Sequence, residues 1–225
     1  MQTGSRSGGT RAVFEDVFVD ECRRARVPAG YRTEAVRLEL ARHFAGFLED
    51  RRVSTGWETR VEEQFVFPLN ALVSIRGRID RIDVSPRQEA LVIDYKYSAG
   101  EKIRERVEEC AAGNLAQGGL YLMAAERCFG LDPAGMLYCG LRKEVVWDGW
   151  HATIPGLDGV GETSTRARLR ELMDAAAAKA EEAFEAIASG VAVPRPADEE
   201  KCRWCEYRDI CRVESADAAR EAGAR

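Results

Sequence analysis

The sequence predicts a mixed α/β fold in which a central mixed sheet is flanked by helices and followed by a C-terminal cysteine-rich segment. Three observations predict it. Residues 33–50 and 163–190 read as helices, the first from a stripe of Val36, Leu40, Phe44, Phe47 and Leu48, the second from its Ala, Glu and Arg content. Between them lies a stretch rich in Val, Ile, Phe and Tyr, broken by Pro, Asn and Ser-Pro-Arg. Cys202, Cys205 and Cys211 then crowd into KCRWCEYRDICR.

The elements follow in order. Residues 12–26 carry apolar residues at mixed helical spacing, and TEAVRLELARHFAGFLED (33–50) is a clearer amphipathic helix, with His43 read as a partly buried surface histidine. RVEEQFVF (60–67), LVSIRGRIDRIDV (72–84) and ALVIDYKY (90–97) read as strands of a meander. Residues 103–129 read as one helix ending before Gly130, and GMLYCGLRKEVVW (135–147) as a strand or strand pair. The long helix 163–190 stops at Gly190, and Pro194 and Pro196 lead into the cysteines. Helices on a sheet made largely from the middle third is the economical arrangement.

Composition narrows the function. The chain has 225 residues and a formal charge of −5, with 32% of residues charged. That excludes a uniformly basic nucleic-acid binder but leaves room for a local basic groove. A unit of this size buries roughly 70–75% of its unfolded surface and needs no disulfide staples. No stretch of about 18 apolar residues is present, so no membrane helix is expected. The first residues, MQTGSRSGGTR, are small and polar with no signal-peptide core, so the expected compartment is the cytoplasm. There the seven cysteines stay reduced and available to metal.

The chemistry gathers in the strands. Asp80 follows Gly77-Arg78-Ile79, and Asp94 ends the apolar run Leu91-Val92-Ile93. Lys96 stands two positions on, which on a strand is the same face as Asp94. A turn at Ser85-Pro86-Arg87 would set the Asp80 strand beside the Asp94 strand, so that the charged groups converge near one edge of the sheet. Paired carboxylates hold a hard divalent cation through oxygen. Such a cation lowers the pKa of bound water and offsets charge on a phosphate. A lysine beside it orients or deprotonates the water. The bland account is a set of solvated strand ends with a surface salt bridge. An aspartate at the end of an apolar strand argues against it, because a charge there must be paired or metal-bound.

GRIDRID followed by LVIDYKYS resembles motifs II and III of the RecB/AddB-type nucleases of the PD-(D/E)XK superfamily, and Gln117 and Tyr121 in AQGGLYLMAA resemble their Gln-x-x-x-Tyr motif. The resemblance implies a PD-(D/E)XK nuclease-like sheet. It implies that Asp80, Asp94 and the Tyr95 carbonyl bind Mg2+ or Mn2+, and that Lys96 acts on the attacking water. Gln117 and Tyr121, at i and i+4 of a helix, would line the DNA path. It further implies an exonuclease of DNA repair or recombination, acting on single-stranded ends with a helicase subunit or helicase domain as partner.

The Cys-x2-Cys-x5-Cys spacing suits zinc or an iron–sulfur cluster, and both want a fourth ligand. With AIASGVAVPRP before it, the segment resembles the C-terminal iron–sulfur tail of AddB-like nucleases. This implies a structural [4Fe-4S] cluster on Cys202, Cys205 and Cys211, with Cys22 as a candidate fourth ligand. Cys110, Cys128 and Cys139 read as helix or core thiols. The organisation expected is a disordered or tag-like start at 1–11, a RecB-like nuclease domain at 12–190, the iron–sulfur segment at 191–213 and a flexible tail at 214–225. One departure stands out. The family's first-helix histidine is missing: Gly9 and Glu15 are in plausible places, but Arg11 or Ala12 stands where it would be. His43 lies far downstream, and Glu62 or Glu63 is an alternative extra carboxylate. A catalytically impaired module that grips DNA or a partner, and a zinc-bearing interaction protein, remain open.

Overall fold

Antiparallel strands joined by tight turns, with parallel pairs among them, organise the sheet. The computed structural model describes residues 6–157, 159–191, 202–203 and 205–211. Helices α1 (Arg6–Arg24) and α2 (Tyr31–Glu49) come first, then strands β1 (Glu58–Pro68), β2 (Ser74–Val84) and β3 (Glu89–Lys96). Helices α3 (Gly100–Ala111) and α4 (Gln117–Phe129) lead to β4 (Asp132–Gly140), β5 (Val146–His151) and the short β6 (Glu162–Thr163). Helix α5 (Arg166–Ala188) and a turn of helix α6 (Arg208–Cys211) end the series. The chain divides into two compact units, Met1–Lys179 and Ala180–Arg225.

The first unit holds a six-stranded sheet in the order β1-β2-β3-β4-β5-β6. The meander β1–β2–β3 is antiparallel, whereas β3 and β4 run parallel, as do β5 and β6. A parallel pair needs a long crossover, and α3 and α4 supply it between β3 and β4. Alternate residues of β3 enter two cores. Ala90 and Val92 join Leu122, Met136, Leu169 and Met173 beneath α4 and α5. Leu91 and Ile93 join Leu137, Cys139, Trp147 and Leu157 on the other face, where Phe47 of α2 also packs. A strand buried on both faces is apolar without alternation, which explains Leu91-Val92-Ile93. Helix α1 rests on α2 through Phe14 and Phe44, centroids 5.5 Å apart.

Several expectations change. The helix expected over 103–129 is two helices, because Ala112 caps α3 and Gly113, at φ 74°, turns the chain where a helix cannot continue. Helical structure begins at Arg6, so residues 6–11 belong to α1. Glu62 and Glu63 lie inside β1. Pairing of β1 with β2 keeps one register, yet side-chain alternation slips midway. Ile79 and Ile82 share one core, three positions apart, while Thr59 bonds Asp83 on the opposite face from Phe65 and Phe67. The slip centres on Glu62, whose φ of 56° costs about 1–3 kcal/mol for a residue with a side chain. It turns Asp80 toward β3 and α4.

In the second unit α5 ends with Ser189 Oγ donating to the Glu185 carbonyl at 2.7 Å, and Gly190 follows at φ 74°. The Cys205 N–H donates to the Cys202 carbonyl, and the Cys211 N–H to that of Tyr207. Pro194, Pro196, Trp204 and the expected tail at 214–225 lie outside the described residues. Among the described residues no helix is long and apolar enough to cross a membrane.

Candidate active site

The C-terminal end of β3 sets the site. Arg81 pairs with Ile93, so one further step of the same register sets Asp80 opposite Asp94. The Tyr95 N–H donates to Asp80 Oδ2 at 2.9 Å, which ties the two strands together at this level. Asp94 in turn pairs with Tyr138 of β4. The charged groups therefore meet inside the sheet rather than near its edge. A carboxylate row built across adjacent strands needs neighbours on both sides, which an edge strand lacks.

Asp94 is the most confined of these groups, 1% exposed. Its Oδ1 accepts from Gln117 Nε2 at 3.2 Å. Its Oδ2 lies 2.5 Å from Lys96 Nζ but accepts no hydrogen bond of good geometry, so Lys96 faces it as a charge and not along a lone pair. Burial pushes the Asp94 pKa up, and Lys96 pulls against that shift. Gln117 opens α4 and also donates to the Tyr121 hydroxyl at 3.0 Å. Burial likewise raises the Tyr121 phenol, with Gln117 opposing. Asp80, Asp94, Lys96, Gln117 and Tyr121 thus lie together in the structure.

The donor set fits a hard divalent cation. A buried carboxylate oxygen without a hydrogen-bond partner stands in register with a second carboxylate, and both offer oxygen. Among the described residues no three His, Cys, Asp or Glu gather into a metal-holding set. Further oxygens would have to be backbone, water or phosphate, the usual case for Mg2+.

Two features escaped the sequence. Arg106 of α3 reaches the site: its Nη1 donates to Gln117 Oε1 at 3.4 Å and its Cζ stands 5.8 Å from the Tyr138 ring centroid. A signal existed, since Ile103, Arg106 and Cys110 share the inward stripe of α3. On the opposite face of the sheet, Asp83 accepts from Arg81 Nε at 2.7 Å, Arg81 Nη2 at 2.6 Å and Thr59 Oγ1 at 2.8 Å. Arg81 Nη1 also donates to the Tyr95 hydroxyl at 3.1 Å, which holds the residue between Asp94 and Lys96 from behind.

Other candidates lie elsewhere. His43 is buried and its Nδ1 meets the Tyr97 hydroxyl at 2.9 Å. Glu15 pairs with Arg37 at 2.5 Å, and Glu62 with Arg78 at 2.7 Å. Cys110 and Cys139 are buried, and burial pushes the Cys139 thiol up to about 12. Cys128 is a helix thiol, exposed on the outer side of the last turn of α4. Cys202, Cys205 and Cys211 are free thiols, half-buried or exposed, in the second unit, and Cys22 is half-buried in α1 of the first. Their chemistry suits a cluster; among the described residues Cys202, Cys205 and Cys211 do not gather into a metal-holding set.

A family model described as the PD-(D/E)XK nuclease superfamily matches residues 5–212. No curated protein matches the chain. The crystal structure of SSO0001 is similar at 16% identity and a TM-score of 0.40, covering 91% of this chain and 81% of that one.

Proposed function

Since this chain belongs to the PD-(D/E)XK nuclease superfamily, we propose that it is a Mg2+- or Mn2+-dependent deoxyribonuclease of the RecB/AddB-like type. In this reading it is an exonuclease that cuts single-stranded DNA ends in the cytoplasm during repair or recombination, beside a helicase subunit or domain. The observation that carries the reading is the buried Asp94 carboxylate, in register with Asp80 and ion-paired with Lys96. Asp80, Asp94 and the Tyr95 carbonyl would hold the cation. When bound, it supplies Lewis acidity toward water and phosphate. Asp94 acts as a ligand only in its charged form, and Lys96 favours that form against burial. Lys96, as an ammonium, would orient the attacking water and offset the charge that develops on the phosphate. Gln117 and Tyr121 flank the path of the strand.

The test is cleavage of end-labelled single- and double-stranded DNA with Mg2+, Mn2+ or EDTA, together with calorimetric Mn2+ binding. Asp94→Ala should lose both, and Lys96→Ala should lose turnover with Mn2+ binding retained. Cleavage that survives in Asp94→Ala would sink the assignment. The second reading, an impaired nuclease that grips DNA or a partner, is favoured by His43 and Glu15 being engaged away from the carboxylates. It predicts DNA binding with no cleavage in either metal.

The resemblance of the cysteine segment to the AddB-like tail supports a [4Fe-4S] cluster on Cys202, Cys205 and Cys211, with Cys22 as the candidate fourth ligand. The spacing itself suits zinc as well. No step of cleavage passes through it. Iron and sulfide analysis of anaerobically purified protein tests it: absorbance near 400 nm, lost in Cys205→Ser, is expected. Zinc without iron would replace the cluster with a zinc site, and neither metal would leave plain thiols.

A further inference from the structure

Among the described residues, the partly buried Arg37, Arg81 and Arg166 each hold a carboxylate within 2.6 Å. Arg106 does not. It is half-buried on α3, and among the described residues its guanidinium makes one hydrogen bond, to the neutral Gln117 amide, and one ring contact, to the fully buried Tyr138. Gln117 bridges it to Asp94, with Oε1 toward Arg106 and Nε2 on Asp94 Oδ1. An arginine one side chain away from the reactive carboxylate thus keeps most of its five N–H donors without an acceptor from the protein.

We propose that Arg106 binds a phosphate of the DNA strand beside the scissile bond. This rests on the nuclease reading and adds to it the residue that seats the strand. Asp94 is the nearby counter-charge, but Arg106 reaches it only through Gln117. The partly desolvated guanidinium thus has no carboxylate in direct contact among the described residues, and an arriving anion can pair with it. The ring of Tyr138 supports the guanidinium by a cation–π contact. A planar fork of N–H groups matches the oxygens of a phosphate in a way an ammonium does not. The other cation of the site, Lys96, lies against Asp94 at 2.5 Å and is not available to hold the strand in the resting protein. Gln117 then has a different task from direct contact with DNA: it holds the Arg106 side chain at a fixed place relative to Asp94.

The experiment measures binding of fluorescent single-stranded oligonucleotides to the full chain in Ca2+, over a range of salt, for wild type, Arg106→Ala and Arg106→Lys. Loss of one phosphate contact should make the log–log salt dependence shallower by about 0.7 in Arg106→Ala, with affinity lower by about tenfold. Arg106→Lys should keep the slope and lose part of the affinity. A second arm replaces single linkages with neutral methylphosphonates. One linkage near the cut should weaken wild type about tenfold and leave Arg106→Ala unchanged. Each comparison is made within one protein, so a general loss of stability cannot imitate this result. If wild type binds and cuts DNA but every linkage affects both proteins equally, the Arg106 assignment is overturned alone. If wild type neither binds nor cuts, the nuclease reading falls and the assignment with it.

Discussion

Replacing Arg81 with Met removes a guanidinium while keeping most of its stem, and the structure sets the consequence. Asp83 is fully buried and takes two hydrogen bonds from Arg81, one from Thr59 and a long one, 3.5 Å, from Thr55. Without Arg81 the carboxylate keeps only the two threonine hydroxyls and has no access to water. Breaking a buried ion pair from one side costs about 3–5 kcal/mol. The Arg81 side chain is itself 21% exposed, so the lower end of that range applies, about 3 kcal/mol. At about 2–4 °C per kcal/mol for a chain of this size, Tm should fall by about 6–12 °C. Pairing Arg81→Met with Asp83→Leu removes both charges. This double variant should recover to within about 1–2 kcal/mol of wild type. Urea unfolding followed by circular dichroism measures all four proteins. Because Arg81 also holds the Tyr95 hydroxyl, and the Tyr95 N–H holds Asp80, Mn2+ affinity in Arg81→Met should drop about 10–100-fold. A single variant within about 1 kcal/mol of wild type, or a double variant no better than the worse single, would refute the reasoning.

Three further outcomes are expected. In metal-free buffer at pH 7, Asp94→Asn should melt a few degrees above wild type, about 1 kcal/mol, while losing cleavage, because burial raises the Asp94 pKa more than Lys96 lowers it. A raised carboxylate pKa favours the folded state fully below the unfolded value near 4, and that benefit is lost as pH rises through the folded value. The gap between variant and wild type should therefore close as pH falls toward about 4, and a variant that melts lower at pH 7 contradicts this. Gly119→Ala would drive a methyl to 2.3 Å from the Leu172 carbonyl oxygen and 2.5 Å from Ala176 Cβ, costing about 1–3 kcal/mol in urea unfolding. Tyr121→Phe keeps the edge contact with Phe65 but loses the hydroxyl held by Gln117. Stability should stay within about 1 kcal/mol, DNA cleavage should slow, and Mn2+ affinity should not move.

Local periodicity already carried much of this protein. Alternation on one strand is enough to put Asp94 and Lys96 on one face, and helical spacing is enough to put Gln117 beside Tyr121, since both relations belong to a single element. The Leu91-Val92-Ile93 run declared a strand buried on both faces, and Ser85-Pro86-Arg87 declared the turn that folds β2 onto β3. Relations between elements were another matter. The slip in alternation at Glu62 has no counterpart in a one-dimensional pattern, and the inward stripe of α3 that carries Arg106 does not name Gln117 as its partner. Nor does any such pattern give the Arg81–Asp83 pair behind Tyr95. Periodicity tells each residue which side of its own helix or strand it occupies. Which side chains then touch is settled by register, backbone twist and the approach of α4 to α5 through Gly119, and these arise from packing terms summed over the whole core.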